Sequence, residues 1–259
     1  MALETIIVEK YDHVAKITFN RPQRLNAINS TLGLEMKGAL EEIASDDDVR
    51  VLVITGNPRI REKEGRQEIK HCFSAGWDLS ETAPVEPIVE MLAAYEKPVI
   101  AMINGFALGG GCEIALACDF IYASDNSEIG LPEIKRGLLP GWGGTQRLPR
   151  RIGAARAKWM ILSGETLSGS EAKEIGLVDE MVSRELLDKT VSDFAAVLAD
   201  KPPLGLKKIK EVINRGVEVN LQEGLKLEQE ALGFLLQTED FQEGISAFME
   251  KREPQWKGR

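Results

Sequence analysis

The chain has 259 residues, 43% of them hydrophobic and 28% charged, with a formal net charge of −9. That length can bury a sizeable core as one large domain or two unequal ones, and the composition excludes the disordered and fibrous classes. The acidic balance argues against a nucleic-acid partner, which would need clustered Lys and Arg, but leaves room for a phosphorylated small ligand on a local basic patch.

Residues 5–10 and 13–20 are β-rich runs around a Tyr11-Asp12 break, and predict a hairpin. Glu4, Glu9, Lys10 and Asp12 leave no leader pattern in the first dozen residues. Residues 30–44 have helical spacing, with Ser30 or Thr31 as the expected cap. After the polar turn Asp46-Asp47-Asp48, residues 49–55 form a continuous apolar run, the pattern of a strand covered on both faces. Residues 57–71 form a charged insertion with five Lys/Arg, three Glu and one His, read as a solvated loop or as a grip on a ligand phosphate or a neighbouring subunit.

Residues 98–104 repeat the buried-strand pattern. Residues 105–111 then lead into a helix from about 111 to 118, and residues 120–123 form another short strand. Asn104, Glu113, Asp119 and three consecutive glycines interrupt this apolar stretch, so it reads as buried core and not as a membrane span. Strands alternating with helices predict an α/β core. Beyond residue 150 helical patterns dominate, at 154–162, 170–175, 184–199, 203–215 and 221–238, with Lys201-Pro202-Pro203 as a joint. The expected division is a core over 1–199 and a helical region over 200–259. Cys72, Cys112 and Cys118 are odd in number and lack disulfide spacing, which fits buried small hydrophobes in a reduced, cytoplasmic setting. His13 and His71 are too isolated to suggest a metal site. Asp119 is expected to cap or pair structurally.

Three segments carry the chemistry: 72–79 (CFSAGWDL), 104–113 (NGFALGGGCE) and 129–148, which opens on IGLPE and ends on PGWGGTQRL. Gly109, Gly110 and Gly111 at a strand-to-helix junction let main chain approach a ligand closely and expose unpaired N–H groups at a helix start. A second N–H near Gly76-Trp77 would complete a two-donor oxyanion hole for a thioester oxygen. Alone, a triple glycine serves equally well as a packing or turn feature. Glu113 sits in the first helical turn among apolar residues, where a dipole role is the plain alternative. Glu133 follows Ile-Gly-Leu-Pro and could be an exposed loop carboxylate. Taken jointly they say more, because two close buried carboxyls cannot both ionise cheaply. One then serves as acid while its partner serves as base, the pair that hydration requires.

At these residues the sequence resembles the crotonase (enoyl-CoA hydratase/isomerase) superfamily. The likeness runs nearly end to end, from Asn20-Arg21-Pro22 and Leu25-Asn26-Ala27 to Phe248-Met249-Glu250-Lys251-Arg252, with SAGWD, NGFALGGGCE, ACDFIYAS, LPE and PGWGGTQRL in family order. The resemblance implies a spiral of ββα units with a C-terminal helical trimerisation region, in trimers or paired trimers. It implies a CoA-thioester substrate, no separate cofactor, and a place in fatty acid or in aromatic or alicyclic acid degradation.

By position, the resemblance puts the oxyanion donors on the backbone of Trp77 and Gly110. Glu113 becomes the base for water and Glu133 the source of the α-proton, while Gly141 helps position the water. Substrate or CoA contacts fall on Gln23, Arg24, Leu25, Ala27, Ala75, Asp78, Leu79 and Trp142, and on Phe248 and Lys251, often from a neighbouring subunit. Retention of both glutamates favours a hydratase, with an isomerase or C–C bond hydrolase acting on a CoA ester as the alternative. Trp77 stands where the family commonly has a small residue. With Trp142 it could wall a pocket for a short or cyclic acyl group, or both could simply pack into core or a subunit contact.

Overall fold

The computed structural model describes residues 3–63 and 65–259. The expected hairpin forms from β1 (Ile6–Tyr11) and β2 (Val14–Phe19), antiparallel with Ile6 opposite Phe19 and Tyr11 opposite Val14. Asp12 and His13 turn the chain at φ 45° and 64°, the two successive left-handed residues that match a hairpin's twist. Helix α1 (Ser30–Ser45) is capped by Asn29, whose side chain accepts the Leu32 N–H, so the cap lies one residue before the expected Ser30. Strand β3 (Val51–Gly56) is buried throughout.

The charged insertion is not an irregular loop. It forms a second hairpin, β4 (Arg59–Lys63) with β5 (Arg66–Lys70), whose strands are largely exposed. Strand β6 (Cys72–Ser74) and helix α2 (Ile88–Ala93) follow, then β7 (Val99–Ile103), β8 (Phe106–Leu108), α3 (Gly110–Ala117), β9 (Phe120–Ser124) and β10 (Glu128–Gly130). A 3-10 turn spans Pro132–Arg136. The remaining elements are α4 (Gly144–Ile152), α5 (Ala154–Ser163), β11 (Thr166–Ser168), α6 (Gly169–Glu174), β12 (Glu180–Val182), α7 (Arg184–Ala199), α8 (Pro203–Gly216), α9 (Leu221–Leu235) and α10 (Glu239–Glu250). The helix expected over 221–238 is α9, which ends three residues early at Leu235, and α10 is a further helix beyond the expected range. Thr238 caps α10, its hydroxyl accepting the Phe241 N–H.

The strands form a six-stranded sheet, ordered β1-β2-β3-β7-β9-β12, and a four-stranded sheet, ordered β11-β10-β8-β6. Successive passes place one strand in each: β3 then β6, β7 then β8, β9 then β10. Helices follow each pass, which gives the expected spiral of ββα units. Alternation along β3 explains why its apolar run is continuous. Leu52 and Ile54 point into the core with Met36, Phe73, Ile103 and Ile114, whereas Val51 and Val53 pack with Leu187, Val191 and Ala195 of α7. Cys72, Cys112 and Cys118 are buried and unpaired.

The C-terminal helices are joined to the core by few polar contacts. Lys210 of α8 donates to Asp119 Oδ2 at 2.6 Å and to the Lys97 carbonyl at 3.0 Å, which accounts for Asp119 as a structural partner. Helix α9 has no buried residue in the protomer. Among the described residues no helix is long and apolar enough to cross a membrane.

Candidate active site

Helix α3 begins where β8 ends, and the junction is built on close backbone approach. Gly76 has φ 90°, and a Cβ there would lie 2.6 Å from the Leu108 carbonyl and 2.9 Å from the Gly110 nitrogen. A Cβ on Gly110 would lie 3.4 Å from the Trp77 nitrogen. Glycine at 76 thus lets the 75–78 loop meet the start of α3. The N–H groups of Trp77 and Gly110 are brought side by side, and neither donates to a protein acceptor among the described residues. Two such free donors at a helix start can take up negative charge that develops on a carbonyl oxygen.

The loop is fixed from beneath. Ala75 N–H donates to the Leu25 carbonyl at 2.9 Å, and the isolated bridge Ile28–Trp77 holds Gly76 and Asp78 on Ile28. Ser74 Oγ donates to the Asn26 carbonyl and accepts from Gly76 N–H. Asp78 pairs with Arg21 at 3.0 Å and accepts from Ser80, while Arg21 also donates to the Ala27 carbonyl. Hydrogen bonds from Ser80 and Arg21 hold the Asp78 carboxyl below its ordinary range despite burial.

The two glutamates line one cavity of about 390 Å³, with Ala75, Trp77, Leu79, Gly110, Gly141 and Trp142 among its walls. Glu113 is 2% exposed. Its Oε1 accepts the N–H groups of Trp142 at 2.7 Å and Gly144 at 2.8 Å. Burial pushes its carboxyl above the ordinary value, and those two N–H groups pull the other way. Glu133, on the 3-10 turn, has Oε2 buried without a partner. Burial raises its carboxyl too, and the Glu113 charge adds to the effect. A Cβ on Gly109 would lie 3.1 Å from Glu133 Oε1, so the missing side chain at 109 makes room for that carboxyl. The pair is therefore asymmetric: Glu113 Oε1 accepts two main-chain donors from a neighbouring segment, whereas Glu133 Oε2 is buried without one. Such a pair can hold one proton and one negative charge across a bound water.

Both tryptophans line the cavity; Trp77 is exposed, whereas half-buried Trp142 also packs against the core. The Trp142 indole lies against the Gly110 Cα, since a Cβ there would be 2.5 Å from its Cζ3. The remaining expected contacts lie elsewhere. Asp78 is turned towards Arg21 and Ser80. Gln23 and Arg24 are exposed on the 3-10 turn Pro22–Arg24, Leu25 is half-buried, and Ala27 is buried beneath the loop. Phe248, 80% exposed, and Lys251 lie at the end of α10, outside the cavity walls. The sequence reading missed the Trp142 and Gly144 donors to Glu113, and Arg136 on the cavity wall. The positive φ of Gly143 (99°) is what turns these amides inward, and Gly141-Trp142-Gly143-Gly144 was the available signal. Among the described residues there is no cluster of three or more His, Cys, Asp or Glu placed to hold a metal ion.

A family model described as enoyl-CoA hydratase/isomerase matches residues 9–259. The 2,3-dehydroadipyl-CoA hydratase of Escherichia coli is 39% identical, over 99% of this chain and 100% of that protein. A short-chain-enoyl-CoA hydratase of Clostridium acetobutylicum is also 39% identical, over 97% of each. Among solved structures, the enoyl-CoA hydratase from Bacillus anthracis superposes with a TM-score of 0.90 at 38% identity, covering 99% of this chain and 100% of that one.

Proposed function

Since the chain belongs to the enoyl-CoA hydratase/isomerase family, we propose that it adds water reversibly across the double bond of a 2-enoyl-CoA thioester. It is an enzyme of the hydro-lyase type. The observation that carries the reading is the unequal carboxyl pair in one cavity beside two free main-chain donors.

The thioester carbonyl accepts from Trp77 and Gly110 N–H, which polarises the conjugated system and stabilises the enolate-like oxygen. Glu113, whose Oε1 is oriented by Trp142 and Gly144 N–H, takes a proton from water as its oxygen attacks the β-carbon. Glu133, whose Oε2 is buried without a partner, gives its proton to the α-carbon. The reverse sequence dehydrates a 3-hydroxyacyl-CoA. Isomerase or hydrolase chemistry would not need both acids in these two states.

The acyl group fits the same site. Trp77 and Trp142 form flat walls, which favours a short or cyclic enoyl group over a long flexible chain. One observation favours a second reading of the acyl end. Arg136 lines the cavity without a carboxylate partner among the described residues, and an acyl group ending in a carboxylate would find its counter-ion there. The assembly is a homotrimer or a pair of trimers through residues 200–259. Support comes from the exposed apolar side chains of α8 to α10, including Ile213, Leu221, Leu232, Phe241 and Phe248.

Water addition to a panel of linear, cyclic and carboxylate-ended enoyl-CoA esters tests the reading. Hydration with kcat/KM highest for one compact class is expected. No hydration of any member would refute the reaction, and equal kcat/KM from short to long linear chains would refute the shaped pocket.

A further inference from the structure

The hairpin of β4 and β5 sorts its side chains. Residues directly opposite in an antiparallel pair share a face, and the register sets Arg59 opposite Lys70, Arg61 opposite Glu68 and Lys63 opposite Arg66. One face therefore carries Arg59, Arg61, Lys63, Arg66 and Lys70, with Glu68 its single carboxylate among the described residues. The other carries Ile60 opposite Ile69, 52% and 51% exposed, and Glu62 opposite Gln67. Among the described residues none of the five cations is in an ion pair, in a chain of net charge −9. Arg59 Nε is buried with no partner, and Lys70 Nζ lies 4.4 Å from the Phe106 ring centroid. A merely solvated arm has no reason to gather its cations on one side.

The root of this arm adjoins the active site. Strand β4 packs against the 3-10 turn Pro22–Arg24, which adds the exposed Arg24. Asn26 Nδ2 donates to the Asn57 carbonyl at 2.9 Å and to the Cys72 carbonyl at 2.8 Å, at the two feet of the hairpin. The neighbouring Leu25 carbonyl holds Ala75, two residues before the Trp77 donor. A five-residue arm reaches about 17 Å from that root, at ~3.3 Å per residue.

We propose that the cationic face of this hairpin binds the phosphates at the nucleotide end of the CoA thioester, a second, electrostatic subsite outside the acyl cavity. The inference rests on the hydratase reading only for the identity of the ligand. A diphosphate and a phosphomonoester spread along an extended ligand match a row of unpaired cations, and Arg and Lys are the groups that bind such anions. The apolar Ile60–Ile69 face, in contrast, would suit a second copy of the chain.

The test compares Arg61→Ser/Lys63→Ser/Arg66→Ser with wild type, and with Arg61→Lys/Arg66→Lys, which keeps the charge. Calorimetry gives Kd for coenzyme A, and kcat/KM is measured for crotonyl-pantetheine, which has no nucleotide. The serine variant should raise the coenzyme A Kd at least about tenfold, equivalent to ~1.4 kcal/mol. It should leave crotonyl-pantetheine turnover unchanged and melt with the wild type. The lysine variant should retain affinity. Unchanged coenzyme A affinity, an equal loss with crotonyl-pantetheine, a change of oligomer size without loss of coenzyme A affinity, or a wild type that does not bind coenzyme A would each overturn the proposal. A wild type that binds coenzyme A through the hairpin yet hydrates no ester would refute the hydratase reading alone.

Discussion

Glu113 and Glu133 differ in what donates to them, and that difference is measurable. Glu133 binds its proton more tightly in the folded chain than an ordinary carboxyl does, because it is buried beside Glu113. Its contribution to stability is therefore complete below the ordinary carboxyl range and is lost as pH rises through its raised folded value. Glu133→Gln should melt above wild type at neutral pH, with the gain shrinking as pH falls towards the ordinary carboxyl value. A gain constant across that range would contradict the assignment. In the proposed mechanism Glu113 acts ionised, and its value is also raised, so the acid limb of kcat should lie above the ordinary carboxylate range. Gly110 and Trp142 form a tight contact that predicts coupling. Gly110→Ala should lower kcat/KM by about tenfold or more, and Trp142→Ala should relieve much of that loss by vacating the space of the new methyl group. Additive effects in the double variant would show that the contact does not govern the donor.

The gathering of these residues around one cavity was largely legible in the sequence, because the backbone and the chemistry demand particular residue types. An N–H at a crowded junction needs Gly76 and Gly110, and a proton relay needs carboxyls in apolar surroundings. The hydrogen bonds to Glu113 were not legible, since they come from main chain at Trp142 and Gly144, whose direction depends on the positive φ of Gly143.

At the scale of elements, the loops are aligned by a small number of buried polar groups. Arg21 holds both Asp78 and the Ala27 carbonyl, joining the 21–27 segment to the 75–78 loop. Arg21→Met should cost about 2 kcal/mol, below the ~3–5 kcal/mol of a fully buried pair because both side chains keep some contact with water. It should also lower kcat more than it changes ester Kd, as the Trp77 donor loses its fixed position; an unchanged kcat would make the pair purely structural. Long helices such as α1 and α7 were legible from their spacing, and β1 and β3 from a β-rich and a continuous apolar run. The three-residue strands β8, β10, β11 and β12 were not, because three residues carry no period and their pairing is set by distant chain. The charged hairpin was read as a loop for a different reason. Neither of its faces is buried in the core, so β4 and β5 lack the apolar alternation by which a strand is recognised.

Over the whole molecule, the spiral places the ends of β6 and β8 and the start of α3 around one cavity, while α8 to α10 carry apolar surface away from it. Helix α9 has no fully buried residue within the protomer, and a lone chain leaves its Leu221, Leu225 and Leu232 exposed to water. Light scattering should give three or six times the 28.6 kDa chain mass, and Leu221→Glu/Phe248→Asp should reduce it. A monomer with full activity would contradict the assembly. The central claim is the proton relay, and the loss of enoyl-thioester absorbance during crotonyl-CoA hydration tests it most directly. Wild type should consume the ester, and Glu113→Gln and Glu133→Gln should each slow it by about 10²–10⁴ with little change in ester Kd. Near-normal turnover in either variant would contradict the account.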